Sequence, residues 1–97
     1  MKNLKAIKKK LEELKPLLKE GFKVTEIGIF GSWIRDENKE TSDLDILVEF
    51  EEPVSLLGVV KLENYLSERL DIKVDLIPQK DVREELKERI FKEVIYL

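Results

Sequence analysis

The sequence contains no cysteine and no histidine, and both absences exclude whole classes of chemistry. Without cysteine there is no disulfide, no thiolate nucleophile and no thiolate ligand for zinc, and without histidine there is no imidazole general base. What remains is carboxylate, hydroxyl, lysine and arginine chemistry, together with metal ions bound through oxygen. Any catalytic site in this chain must therefore be built from those groups.

Long apolar runs and an excess of positive charge are also missing. No stretch reaches the roughly 20 consecutive apolar residues that a membrane-spanning helix needs, and the first residues lack the apolar segment of a signal peptide. There are 18 Lys and Arg against 21 Asp and Glu, a net charge of −3, so no overall basic surface indicates a nucleic-acid groove. We therefore expect a cytoplasmic protein without membrane contacts, for which charge does not suggest direct nucleic-acid binding.

The length of 97 residues suits one domain with one small core, residues 1–97. Apolar residues at helical spacing over Leu4–Leu18 predict a first helix that ends near Gly21, and Pro16 inside this pattern is expected to kink or break it. Ser55 is the predicted N-cap of a second helix that runs to Leu70.

A third helix is predicted near the end of the sequence. Asp81 and Glu84 have the spacing of a capping box, and the apolar stripe of this helix extends to Val94. The final segment, Val94–Leu97, is apolar for a chain end, which predicts that it docks either on the core or on a partner.

Three segments are typical of strands. Val24–Phe30 and Leu44–Phe50 are rich in β-branched and aromatic residues, and Ile72–Ile77 alternates before a stop at Pro78. With a short helix between the first two strands, the order is α-β-α-β-α-β-α. The predicted fold class is α/β (α+β), a small mixed β-sheet covered by helices.

Two aspartates stand at the mouth of the second strand. Residues two apart in a strand point to the same face, so Asp43 and Asp45 should project side by side while Leu44 points into the core. Adjacent carboxylates repel each other and raise each other's pKa unless a cation neutralises them. This pair therefore indicates a site for a hard divalent ion, Mg²⁺ or Mn²⁺ as its substitute.

Asp75 is the third candidate ligand, because it lies in the middle of a short strand, where a carboxylate is costly to bury without a partner. If the third strand lies beside the second, Asp75 completes a cluster able to hold two metal ions roughly 3.5–4 Å apart, as in two-metal phosphoryl-transfer sites. The alternative is an exposed edge-strand carboxylate paired with Lys73.

An anion site is predicted where the first strand ends. Gly31 allows the backbone to approach a phosphate closely, and Ser32 could cap a short helix while offering its hydroxyl. Arg35 adds a fixed cation, with a surface ion pair to Asp36 or Glu37 as the alternative role. Phosphates would then lie between this turn and the metal ions, which is the geometry of nucleotidyl transfer.

The pattern Gly31-Ser32, ten residues, then Asp43-Leu44-Asp45, followed by the strand residue Asp75, resembles the DNA polymerase β-type nucleotidyltransferase superfamily. The resemblance is closest to its minimal nucleotidyltransferase (MNT) branch and extends over nearly the whole chain. It implies the polymerase β-like nucleotidyltransferase fold and a transfer of a nucleoside monophosphate that depends on two Mg²⁺ ions, with ATP as the donor.

The same resemblance implies roles for individual residues. Gly31 and Ser32, with Arg35, would bind the triphosphate, and Asp43 and Asp45 would hold both metal ions. Asp75 would bind the catalytic metal and help to deprotonate the acceptor hydroxyl.

Members of the branch are often antitoxins of type VII toxin–antitoxin pairs, which silence HEPN-domain toxins by transferring AMP to a tyrosine. The resemblance thus implies a HEPN-type toxin as partner. Two alternatives stay open: a non-catalytic antitoxin that neutralises its partner by binding, and a nucleotidyltransferase for a small hydroxylated molecule such as an antibiotic. The sequence leaves open whether the chain forms homo-oligomers or hetero-oligomers.

Overall fold

The computed structural model describes residues 3–97, and its first element is the predicted amphipathic helix, α1 (Leu4–Phe22). Asn3 caps it, with Oδ1 accepting from the Ala6 N–H at 2.8 Å. The helix continues through Pro16, so the expected break does not occur. Pro16 lies on the solvent side, where water can satisfy the carbonyl that loses its intrahelical partner.

Four strands form one mixed sheet in the order β3-β2-β1-β4. The strands are β1 (Val24–Phe30), β2 (Leu44–Phe50), β3 (Val74–Pro78) and β4 (Ile95–Tyr96). β1 pairs antiparallel with β2 and with β4, whereas β2 and β3 are parallel. The end of β1 and the beginnings of β2 and β3 therefore lie at the same edge of the sheet.

The parallel pair is connected by α2 (Leu56–Leu70), whose predicted N-cap is confirmed, since Ser55 Oγ accepts from the Gly58 N–H at 3.1 Å. β3 begins two residues later than predicted because Ile72 still closes the end of α2 through its N–H to the Ser67 carbonyl. Side chains of α2 then satisfy the outer edge of β3: Ser67 Oγ accepts from the Val74 N–H at 2.9 Å, and Glu63 Oε2 accepts from the Leu76 N–H at 2.9 Å.

The third helix, α3 (Glu84–Glu93), differs from the prediction at both ends. Asp81 ends a short 3₁₀ helix (Gln79–Asp81), and the N-cap is Arg83 without a side-chain hydrogen bond, so the predicted capping box is wrong. The buried side chain of Val82 holds the chain extended at this point, which separates Asp81 from the helix.

After α3 the chain forms β4, which the sequence analysis did not predict. Its residues pair with the middle of β1, and the Leu97 N–H donates to the Ile27 carbonyl at 3.0 Å. The apolar end therefore docks on the sheet, as one of the two expectations had it. α1 and α2 cover one face over the larger core cluster, and α3 covers a smaller cluster on the other face, which confirms a small mixed sheet covered by helices.

None of the helices described within residues 3–97 has the length and hydrophobicity to cross a membrane.

Candidate active site

The first part of the site is the start of β2. Leu44 and Ile46 are completely buried under α1 and α2, so Asp45 between them is directed to the opposite face of the sheet. Asp43 immediately precedes the strand and is only partly exposed. The period-2 pattern of this short segment thus determines which side chains reach the surface here.

The second part is the adjacent parallel strand. Asp45 and Asp75 are direct partners in the register of β2 and β3, so their backbones are separated by one strand spacing of about 4.8 Å. Val74 and Leu76 are buried, which leaves the Asp75 side chain on the same face as Asp45. The expectation that the third strand lies beside the second is therefore confirmed.

The carboxylates at this edge influence one another's protonation. The pKa of Asp45 is raised from 3.8 to about 6, first by burial and then by the charges of Asp75 and Asp43, with Arg35 acting in the opposite direction. A half-buried carboxylate that is surrounded by other carboxylates favours either a proton or a cation.

The Asp75 pKa is raised as well. Partial desolvation of its carboxylate is the first cause, although the residue as a whole is exposed, and the charges of Glu63 and Asp43 follow. Lys73 lowers it, and the Lys73 Nζ also lies 3.9 Å from Asp43 Oδ2. Lys73 therefore faces the cluster as a whole and is not an exclusive partner of Asp75.

The carboxylates of Asp43, Asp45 and Asp75 offer oxygen ligands and negative charge, which fit a hard divalent cation such as Mg²⁺. Within residues 3–97, however, no three acidic side chains are already arranged so that they could hold a metal ion between them. The ligand roles of Asp43, Asp45 and Asp75 stay a prediction, and a shared ion would require their side chains to reorient.

The raised Asp45 pKa predicts how stability depends on pH in the metal-free protein. Between 3.8 and about 6 the folded protein binds more protons than the unfolded chain, so the free energy of unfolding falls as pH rises through this window. We expect the protein to be more stable near pH 5 than near pH 7 by about 1 kcal/mol, after discounting for solvent screening. Urea unfolding across this range should show the slope in the wild type, and Asp45→Asn should lack this component. Identical profiles for the two proteins would contradict the assignment.

The third part of the site is the turn after β1. Gly31 has a φ of +83°, and a Cβ atom at this position would lie 2.0 Å from Asp45 Oδ2. A side chain is therefore excluded both by the left-handed backbone and by the carboxylate. The turn is anchored by the buried Trp33, which packs into the larger core cluster.

The predicted helix cap at Ser32 is wrong. The turn is a 3₁₀ helix (Gly31–Trp33) with Phe30 at its N-cap position and no side-chain cap, so Ser32 lies inside it. Among residues 3–97, neither the N–H nor the hydroxyl of Ser32 donates to another residue. Both groups are left available to an incoming ligand.

Arg35 is held by two glutamates. Its Nε lies 2.9 Å from Glu37 Oε1, and its Nη1 lies 3.0 and 3.1 Å from the two carboxylate oxygens of Glu93. These hydrogen bonds, Glu37 first, raise the pKa of the guanidinium. A surface ion pair such as this one with Glu37 was the alternative role given for Arg35. The role of Arg35 in phosphate binding stays a prediction.

Glu93 is the residue that sequence reasoning missed. Its Oε2 accepts from the Gly31 N–H at 2.7 Å, across 62 positions of sequence. One signal was present: Glu93 is the last residue of α3, where the helix dipole disfavours a carboxylate, and such a position indicates a partner outside the helix.

The acidic cluster lies at the protein surface, with Asp75 exposed and Asp43 and Asp45 partly exposed. A cavity of about 740 Å³ lies at the other ends of β2 and β3, and another of about 430 Å³ lies between α1 and β1. Asp43, Asp45 and Asp75 line neither of them. The acidic cluster is therefore the candidate site because of the charge and ligand type of its residues, and not because it lines a cavity.

The sequence of this chain is similar to those of known nucleotidyltransferases. Residues 4–97 match the family model for the nucleotidyltransferase domain. A Methanocaldococcus jannaschii chain, provisionally named a protein adenylyltransferase, is 50% identical over 98 residues that cover all of both chains. The protein adenylyltransferase MntA of Thermococcus cleftensis is 43% identical over 97 residues, covering 100% of this chain and 98% of its own.

Solved structures have the same fold. A structure provisionally described as a minimal nucleotidyltransferase superposes with a TM-score of 0.84 and 31% identity, covering 99% of this chain and 97% of the other. A chain from the complex of a tri-AMPylated Shewanella oneidensis HEPN toxin with an MNT antitoxin has a TM-score of 0.70 at 21% identity, covering 93% and 70%, a likeness of fold alone. Because the family model, the relatives and the fold agree over nearly the whole chain, the protein belongs to the nucleotidyltransferase domain family and is a minimal nucleotidyltransferase.

Proposed function

We propose that this nucleotidyltransferase transfers AMP from ATP to a hydroxyl group, the side chain of a tyrosine on a HEPN-type toxin, and so acts as its antitoxin. The observation that carries the proposal is the direct pairing of Asp45 with Asp75 beside the Gly31-Ser32 turn. The candidate metal ligands, the candidate base and the groups predicted to donate hydrogen bonds to the triphosphate thus lie at one edge of the sheet. The adenylyltransferase names of the relatives support AMP as the transferred group.

The reaction replaces a phosphoanhydride bond of ATP by a phosphoester bond to the acceptor. The acceptor oxygen attacks the α-phosphorus, the bond from this phosphorus to the β-phosphate oxygen breaks, and pyrophosphate leaves. Asp75 is suited to take the proton of the acceptor hydroxyl, because a carboxylate with a raised pKa is a better base near neutral pH. The Ser32 N–H and hydroxyl, with Gly31 and Arg35, bind the triphosphate and orient it.

Asp43, Asp45 and Asp75 would hold the divalent ions. When bound, Mg²⁺ or Mn²⁺ supplies charge stabilisation at the phosphates and lowers the pKa of the attacking hydroxyl. The cluster itself supports this role, because a cation would relieve the repulsion that raises the pKa of Asp45.

The openness of the site supports a macromolecular acceptor. Asp75 is exposed and Asp43 partly exposed, and neither lines the two cavities described above, so the acceptor hydroxyl would be met at the protein surface. A protein partner would bring its own shape and place its hydroxyl at Asp75. This favours the toxin over a small hydroxylated molecule.

The test is incubation with ATP labelled at the α-phosphate, Mg²⁺ and a purified HEPN-type toxin. We expect label on the toxin with the wild type and none with the double variant Asp43→Asn/Asp45→Asn. Asp36→Asn is the matched control, since Asp36 is an exposed aspartate of the intervening loop. ATP labelled at the γ-phosphate should leave the toxin unlabelled, and EDTA should abolish transfer. Replacing the acceptor tyrosine of the toxin by phenylalanine should also abolish labelling.

The outcomes separate the alternatives. Equal labelling by the wild type and the double variant would contradict the metal-ligand assignment. If neither protein labels the toxin but both bind and silence it, the chain is a non-catalytic antitoxin.

A further inference from the structure

Glu93 occupies the groups that the proposed function assigns to the triphosphate. Its carboxylate bridges the Gly31 N–H, at 2.7 Å, and the Arg35 guanidinium, at 3.0 and 3.1 Å. A backbone N–H and a guanidinium converging on one pair of oxygens is also how proteins bind a phosphate. The Glu93 side chain is only 13% exposed, so the contact is well formed and not a loose surface pair.

A carboxylate and a triphosphate cannot share these donors. Both are anions, and each would have to accept from the same N–H and the same guanidinium edge, so the presence of one opposes the other. Glu37 adds a second carboxylate on Arg35, at Nε, so that glutamates contact two of the three guanidinium nitrogens. Among the residues predicted to bind phosphate, Gly31 and Arg35 are thus already bonded to glutamates, whereas the N–H and hydroxyl of Ser32 donate to no described residue.

The main chain of Glu93 is fixed, so its side chain has to make the movement. On one side Ile90 is buried in the smaller core cluster and accepts from the Val94 N–H at 2.9 Å. On the other side β4 pairs with β1 through Ile95 and Tyr96. A change of side-chain rotamer releases Gly31 and Arg35 without unfolding either element.

We propose that Glu93 is an intramolecular competitor of the nucleotide: it holds the phosphate-binding turn in a closed state until a nucleoside triphosphate displaces it. This inference rests on the proposed function, because the displaced ligand is the triphosphate of the donor. The contact keeps Arg35 and the Gly31 turn ordered in the empty enzyme at the expense of nucleotide affinity.

The test compares Glu93→Gln with the wild type in binding a non-hydrolysable ATP analogue with Mg²⁺. The amide keeps the shape and can still accept from Gly31, but it has no charge to hold Arg35 or to repel phosphate. Trp33 is the single tryptophan and lies two residues from Gly31, so its fluorescence reports binding, and calorimetry checks it. We expect Glu93→Gln to bind about tenfold more tightly than the wild type, within the range of couplings between linked equilibria.

Glu88→Gln is the matched control. Glu88 lies on the same helix and pairs with Lys92 at 3.2 Å on the exposed surface, so its neutralisation changes the charge equally but leaves the turn untouched. Its affinity should equal that of the wild type. A similar gain in Glu88→Gln would mean that net charge alone is responsible and would overturn the proposal.

The remaining outcomes are distinct. Unchanged or weaker binding by a folded Glu93→Gln variant would overturn the competition while leaving the proposed function intact. If neither protein binds nucleotide, the proposed function fails, and this inference with it. If the variant does not fold, carbon-detected NMR of the wild type decides: saturating nucleotide should shift the Glu93 carboxyl resonance, and a resonance that stays in place overturns the proposal.

Discussion

Replacement of Asp75 by asparagine is expected to lower the rate of nucleotidyl transfer by about 10²- to 10⁴-fold, the usual contribution of a positioned general base. Asparagine has nearly the same shape but cannot accept a proton. Asp75 lies in β3 at the same end of the sheet as the Gly31-Ser32 turn, but β2 separates it from that turn, so affinity for the nucleotide should change little. Single-turnover transfer and equilibrium binding of an ATP analogue measure the two effects separately.

Asp81→Asn is the matched control, because Asp81 is an exposed aspartate beyond the other end of β3. It should transfer at the rate of the wild type. If Asp75→Asn retains full activity, Asp75 is no more than an edge-strand carboxylate, the alternative reading of the sequence. If it loses nucleotide binding in proportion to its rate, Asp75 acts on the donor and not on the acceptor.

Gly31→Ala is expected to damage both stability and activity. The left-handed backbone alone costs a non-glycine residue about 1–2 kcal/mol. The new Cβ would also overlap Asp45 Oδ2, at a separation of 2.0 Å, so the carboxylate has to leave its position. We expect the free energy of unfolding to fall by at least that amount and transfer to become undetectable.

Gly21→Ala gives the opposite expectation and serves as the control. Gly21 lies in the last turn of α1, and a Cβ there would meet only Leu17 Cδ2, at 4.0 Å. Alanine at a helical position stabilises relative to glycine by roughly 0.5–1 kcal/mol. Denaturant unfolding of both variants, with an activity assay, measures the contrast, and a stable, active Gly31→Ala variant would refute the close contact between the turn and Asp45.

In the protein without ligands, the carboxylates of the acidic cluster repel one another, and Glu93 occupies groups that are predicted to bind phosphate. Asp45 and Asp75 are held together with raised pKa values, while the positive groups that would balance a nucleotide are occupied by glutamates. Divalent ions would relieve the repulsion between the aspartates. The triphosphate would replace the glutamates at Gly31 and Arg35. Under the proposed function, the two sets of contacts would therefore be relieved together by a metal–nucleotide complex.

Local patterns in the sequence predicted β1 and β2 with their correct limits because each is a short run rich in β-branched and aromatic residues. They also predicted the cap at Ser55 and the opposite directions of Leu44 and Asp45. The same reasoning failed at Asp81, because a local capping motif was overridden by the burial of Val82. It missed β4, because a two-residue strand has no periodicity of its own.

The residue types alone predicted the kind of chemistry proposed for this protein: oxygen ligands in a chain without cysteine or histidine, a Gly-Ser turn, and two aspartates at the start of a strand. The position of Asp75 next to Asp45 and the contact of Glu93 with Gly31 became visible only in the packed fold. Strand order and contacts between distant segments depend on how the elements pack together, a global balance of burial and pairing that no local periodicity encodes. Residue types set what the site can do, and packing set which residues meet to do it.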